Sequence, residues 1–121
     1  ETVGYLIEGP HKKALFIPDI DKWNQWELNL ATELKKVDYA FLDATFYSAK
    51  ELGNRDMSQI PHPSVLETIQ TLKDLSKEER AKVIFTHFNH TNPLLDSTSE
   101  ATKKVLALGF KIGRIHDRFP L

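Results

Sequence analysis

Five side chains in this sequence have the types and the placing to do chemistry: Asp19, Asp43, His62, His87 and His90. Asp19 follows a short apolar run that ends at Ile17-Pro18, and Asp43 closes the run Tyr39-Ala40-Phe41-Leu42. His87 ends Val83-Ile84-Phe85-Thr86, and His90 follows in a stretch that Pro93 bars from further strand pairing. His62 stands before Pro63-Ser64, where a helical pattern begins. Carboxylates and imidazoles gathered at strand ends can hold a hard or borderline cation such as zinc, manganese or iron. Carboxylates can bridge two such ions, and water held between them becomes a nucleophile near neutral pH. The plain alternative is that these residues only close strands and cap helices. A His-x-x-His pair in a loop is a weak metal signal, so spacing alone leaves both readings open. His11 and His116 read as surface residues, and Asp21 as a helix cap.

The elements that must position these groups are legible from periodicity. Residues 3–8 and 13–17 read as a β-hairpin with a loop of about four residues. Trp23, Trp26, Leu30 and Leu34 recur at helical spacing and predict one amphipathic helix of about three turns. Residues 39–42 are a third strand. Residues 47–61 form a polar loop with Gly53, Asn54, Arg55 and Asp56, the stretch expected to move beside a site. A helix then opens at Pro63, with Val65, Leu66, Ile69, Leu72 and Leu75 on its apolar face. Lys77-Glu78-Glu79-Arg80 reads as a solvated last turn or short extra helix. Residues 83–87 are the next strand, from which His87 and Phe88 should point to opposite sides of the pleat. Ser97 and Glu100 read as a capping box for a helix that Gly109 stops, and residues 110–115 as a last strand. The order β-β-α-β-α-β-α-β predicts an α/β fold with mostly parallel pairing and right-handed crossovers. Parallel strands bring their carboxyl ends to one rim. Asp19, Asp43, His62 and His87 are expected on that rim, and His11 and His116 away from it.

Composition bounds the function classes. The chain has 121 residues, one domain's worth. Lys and Arg number 16 against 17 Asp and Glu, so no net field recruits nucleic acid or an anionic membrane. With no cysteine, disulfides, thiolate zinc sites and a Cys nucleophile are excluded. Any metal must be held by His and carboxylates. No run approaches the roughly 18 apolar residues of a membrane span. The compartment is not written in the sequence, and the cytoplasm is the default expectation. The chain does not begin with Met and opens almost at once in a strand pattern, so it is read as a piece of a longer protein.

Five stretches in order carry a family resemblance. They are Gly4-Tyr5-Leu6-Ile7-Glu8, Leu15-Phe16-Ile17-Pro18-Asp19, Asp38-Tyr39-Ala40-Phe41-Leu42-Asp43-Ala44-Thr45-Phe46, His62-Pro63-Ser64 and Thr86-His87-Phe88-Asn89. Together they resemble the C-terminal half of the metallo-β-lactamase fold. Phe85-Thr86-His87-Phe88-Asn89-His90-Thr91-Asn92-Pro93-Leu94-Leu95-Asp96 is similar to the pyrroloquinoline quinone biosynthesis protein B-like branch. The resemblance implies half of an αββα sandwich: a mixed, mostly parallel sheet with helices on one face, filling residues 1–121. It implies a metal-dependent hydrolase, possessing a metal-activated water and related to quinone cofactor biosynthesis. Asp19 matches the Asp that bridges two metals, and His87 the last histidine ligand, with His90 as a further donor. Asp43 matches the carboxylate that orients an imidazole at the metal, and His62 a substrate-contacting or proton-donating residue.

Two departures qualify that picture. Pro18 stands where Gly commonly precedes the bridging Asp, and the family's His-x-His-x-Asp-His motif is absent. The resemblance thus implies an incomplete site for a divalent metal, zinc first, with iron or manganese as alternatives. It implies as partners the missing N-terminal half or a second copy in a homodimer, and a small-molecule or phosphodiester substrate. The alternative is a non-catalytic α/β interaction module or an inactive half-domain. If the sheet's inner face lacks its partner, part of the set Tyr5, Ile7, Leu15, Ile17, Phe41, Ile84 and Ile112 should lie uncovered.

Overall fold

Alternating apolar residues and turn chemistry give five strands: β1 Tyr5–Glu8, β2 Lys13–Ile17, β3 Tyr39–Asp43, β4 Val83–Thr86 and β5 Lys111–Ile112. The computed structural model describes residues 3–53 and 55–121, so Asn54 of the polar loop lies outside the described residues. The strands lie in sequence order, β1-β2-β3-β4-β5. β1 pairs antiparallel with β2, and all other pairs are parallel. The hairpin and the mixed, mostly parallel sheet are as the sequence predicts. The helices are α1 Leu30–Leu34, α2 Val65–Thr71, α3 Lys77–Arg80 and α4 Glu100–Ala107.

The pleat sends Ile17, Ala40, Leu42, Val83, Phe85 and Ile112 to one face. There they pack on Trp23, Leu30, Leu34, Val65, Leu72, Leu94, Val105 and Phe110 from the helices and their flanking turns. Each fully buried Leu or Phe in this layer stabilises the fold by roughly 1.5–3 kcal/mol. The register puts Tyr5, Ile7, Phe16, Tyr39, Phe41 and Ile84 on the other face. Leu15, Ile17 and Ile112 therefore belong to the helical face, because strand side chains alternate. The C-terminal segment covers part of the second face. Phe119 packs edge-on against Tyr39 at 5.5 Å and Phe41 at 5.1 Å. Its far end is held where the backbone N–H groups of His11 and Lys12 both donate to the Leu121 carbonyl at 2.7 Å.

Several predicted boundaries move. The helix expected from Trp23 to Leu34 is a 3-10 turn, Trp23–Gln25, and a separate short α1. Trp26 is extended, and Asn29 caps α1 by accepting from the Thr32 N–H at 2.9 Å. An Asn side chain bonding backbone locally offers the chain an alternative to continuing a helix. Asp21 does not cap the 3-10 turn; Lys22 holds that place without a side-chain bond. Ser64, not Pro63, opens α2, in a capping box with Glu67. Ser99, not Ser97, caps α4, because Asp96 binds the Thr98 N–H and hydroxyl and folds residues 96–98 into a turn. The loop at 47–61 holds two 3-10 turns, Ala49–Leu52 and Met57–Gln59. β5 has only two residues, since the Asp117 carboxylate accepts from the Arg114 N–H and turns the chain away. β4 ends at Thr86, and His87 has φ 66°, so His87 and Phe88 do not alternate on a pleat.

Candidate functional site

The parallel strands end together, and their last residues meet there. Asp19 lies just beyond β2, Asp43 is the last residue of β3, and His87 follows β4. The turn before α2 brings in His62. Asp43 is the hub. It is 0% exposed, and each of its oxygens accepts two hydrogen bonds. Oδ1 takes the Thr45 N–H at 2.9 Å and the Thr45 hydroxyl at 2.7 Å. Oδ2 takes the Ile20 N–H at 3.0 Å and His62 Nδ1 at 2.8 Å. His62 Nδ1 also lies 3.4 Å from Asp19 Oδ1, whose side chain is 46% exposed. The Thr45 hydroxyl lies 3.0 Å from His87 Nδ1, and the two imidazole rings stand 6.4 Å apart. Phe46 packs edge-on against His62 at 5.9 Å.

The backbone under this hub is itself tied down. Asn92, 3% exposed, donates from Nδ2 to the Ala44 carbonyl at 2.6 Å and to that of Thr45 at 3.3 Å. The Asn89 N–H also donates to the Thr45 carbonyl, at 2.9 Å. The loop after β4 is thereby fixed to the loop after β3. Lys22 does the same for the other side: its ammonium donates to the His62 carbonyl at 2.9 Å and to Glu67 at 3.0 and 3.1 Å.

All four residues expected on the rim are joined by this network. Among the described residues, no hydrogen bond of the site reaches His11 or His116. His90 is exposed in the turn after β4 and also stands apart from the network. Sequence reasoning assigned no part to Thr45, Asn92 or Lys22. The i, i+2 pair Asp43 and Thr45 is a local Asx-turn signal. Nothing in sequence spacing points to Lys22, which acts across 40 residues on the His62 carbonyl.

A cation fits the donor chemistry. Asp19, Asp43 and His62 each offer a ligand atom, and these atoms lie within 4.8 Å of one another. Two carboxylates and an imidazole suit a borderline or hard divalent ion. Asp43 is the poorest direct donor of the three, since its oxygens are already engaged. It serves to aim His62. Each ring turns Nδ1 inward, which leaves Nε2 facing out. A cleft of about 680 Å³ lies nearby between the 3-10 turn at Trp23 and α2. It shares Lys22 and Glu67 with the site's supports but contains none of Asp19, His62 and His87.

An α/β sheet with helices on one face and Asp and His at the strand ends defines the class. The chain belongs to the beta-lactamase superfamily domain family, whose profile matches residues 1–88. It is 28% identical over 125 residues to the coenzyme PQQ synthesis protein B of Methylobacterium sp. (strain 4-46), covering 99% of this chain and 40% of that protein. The protein of the same name from Xanthomonas campestris pv. campestris (strain B100) is 27% identical over 122 residues, covering 97% and 39%. The crystal structure of zinc-bound PqqB from Methylobacterium extorquens superimposes with a TM-score of 0.74 at 22% identity. That match covers 93% of this chain and 41% of the other, and it shows the shared fold. The chain thus spans about 40% of the length of the curated relatives it matches. Among the described residues no helix is long and apolar enough to cross a membrane.

Proposed function

We propose that residues 1–121 are the C-terminal half of a metallo-β-lactamase-type domain and carry one side of a metal-dependent hydrolytic site. The observation that supports this is the unbroken run of contacts from Asp19 through His62, Asp43 and Thr45 to His87, which ties three strand ends together. In this reading Asp19 and His87 hold a divalent ion, and His90, exposed and apart from the network, takes no part. Zinc is the first choice, from the zinc-bound relative, and iron or manganese the alternatives. Such an ion, when bound, supplies charge that polarises a substrate and makes water a better nucleophile. The chain's own residues orient and move protons. Asp43 grips His62 at Nδ1, so Nε2 is presented outward as the proton donor to a leaving group. Thr45 and Asn92 hold the hub still. Likeness to coenzyme PQQ synthesis protein B supports a place in quinone cofactor synthesis, and the hydrolytic reading itself adds a small-molecule ester, amide or phosphodiester as the substrate class.

The site is expected to be incomplete in this chain, because the His-x-His-x-Asp-His motif is absent from its 121 residues. A second reading is an inactive half-domain or α/β interaction module. What favours it is that Asp43, Thr45 and His62 already satisfy one another without an ion. Hydrolysis of chromogenic esters and phosphodiesters with added zinc, manganese or iron separates the two. The hydrolytic reading expects little turnover from residues 1–121 alone and metal-dependent turnover once a segment bearing the His-x-His-x-Asp-His motif is supplied, which His62→Gln abolishes while metal still binds. Turnover in that mixture no faster than the metal ion in buffer would favour the inactive module.

A further inference from the structure

We propose that Thr45 is a positioning residue that fixes the proton of His87 on Nδ1 and so leaves the Nε2 lone pair facing out. A threonine hydroxyl has one proton to give. Asp43 Oδ1, at 2.7 Å, and His87 Nδ1, at 3.0 Å, both lie within reach of it. The buried carboxylate wins that proton. A hydrogen bond to a carboxylate is roughly twice as strong as one between neutral groups. The backbone partners of Asp43, the Ile20 and Thr45 N–H groups, can only donate, so the carboxylate is set as an acceptor on both of its oxygens. The Thr45 oxygen therefore faces His87 with a lone pair, and a bond forms there only when Nδ1 carries the hydrogen.

Independent features hold this geometry. His87 adopts φ 66°, a left-handed conformation uncommon outside glycine, at the point where its ring reaches Thr45. The Thr45 backbone is pinned at its carbonyl by the Asn89 N–H and the Asn92 amide. His62 is fixed in the same sense chiefly by Asp43, because its Nδ1 donates to that carboxylate at 2.8 Å and only a longer contact, 3.4 Å, reaches the Thr45 hydroxyl. Both rings thus turn N–H inward and Nε2 outward. The consequence for metal binding rests on the reading of His87 as a ligand, whereas the tautomer does not.

Long-range proton–nitrogen correlation of the histidine rings tests it on metal-free, 15N-labelled protein. The pH is set to about 8.5, where an ordinary imidazole is neutral. His87 in the native chain should be in the Nδ1–H form. In Thr45→Val it should revert to the Nε2–H form that a free imidazole prefers in water, and in Thr45→Ser it should stay Nδ1–H. His62 should remain Nδ1–H in all three, which also reports that the fold is kept. A native His87 in the Nε2–H form, or one unchanged by Thr45→Val, overturns the proposal. Zinc titration of the same samples should show affinity about 10-fold to 100-fold weaker in Thr45→Val, as for other groups that orient a ligand. A shifted tautomer with unchanged zinc affinity would uphold the role of Thr45 and remove His87 from the metal site.

Discussion

Asp43 shows what a residue type at a strand end can and cannot say. Its position as a carboxylate at the end of β3 is legible in the sequence, as are the placings of Asp19, His62 and His87. Which of them touch is decided by hydrogen-bond directions that no spacing encodes, such as the Thr45 hydroxyl lying between Asp43 and His87. Removing the hub should be costly, because Asp43→Ala strands the Ile20 and Thr45 N–H groups, the Thr45 hydroxyl and His62 Nδ1 in a buried setting. The expected loss is about 3 kcal/mol or more in urea unfolding, with Asp43→Asn losing less. At Asp96, hydrogen bonds from the Thr98 hydroxyl and N–H hold the carboxyl below the usual carboxylate range. A carboxyl lowered in the fold contributes stability above its unfolded value, and that contribution fades as pH falls through the folded one. Thr98→Val should raise the Asp96 value toward the ordinary range and shift this loss to higher pH, as carbon NMR of the carboxyl would show.

Among the elements, strands were easier to place than helix ends. Val83 to Thr86 is a dense apolar run closed by a polar loop, and it is a strand on either reading of its surroundings. Caps were misplaced by one or two residues, at Ser64 and Ser99, because several Ser, Thr and Asp residues compete at each helix start. The break between Trp23 and α1 depends on a long-range contact: the Trp23 indole N–H donates to the Thr68 hydroxyl at 2.8 Å in the core. That bond ties the turn after Asp19 to α2 just behind His62. Thr68→Val keeps the shape and orphans the buried indole N–H, so unfolding free energy should fall by about 1–3 kcal/mol. Trp23 should then report the loss as a change in fluorescence before global unfolding.

At the scale of the molecule, the mostly parallel pairing and the shared rim were legible, since β-α-β alternation favours parallel strands. The cover laid by the C-terminal segment over Tyr39 and Phe41 was not, because residues 116–121 have no periodicity. That cover stops short of β1 and the residues leading into it: Val3, Tyr5, Leu6 and Ile7 are 57%, 57%, 55% and 42% exposed. An apolar edge strand with a free edge invites pairing with another chain. We expect self-association through β1 at micromolar concentration, reversed by Ile7→Lys, and light scattering that finds the native chain monomeric would count against it. The central claim is that Asp19 and His87 hold a divalent ion on one rim, with His62 beside them as proton donor, and that this chain leaves the ligand set incomplete. Zinc titration followed on the histidine ring signals tests it most directly. The account predicts that His62 and His87 respond together, that His11 and His116 stay still, and that the affinity is weaker than about 1 μM. Zinc that moves His11 or His116 while leaving His62 and His87 untouched would contradict it.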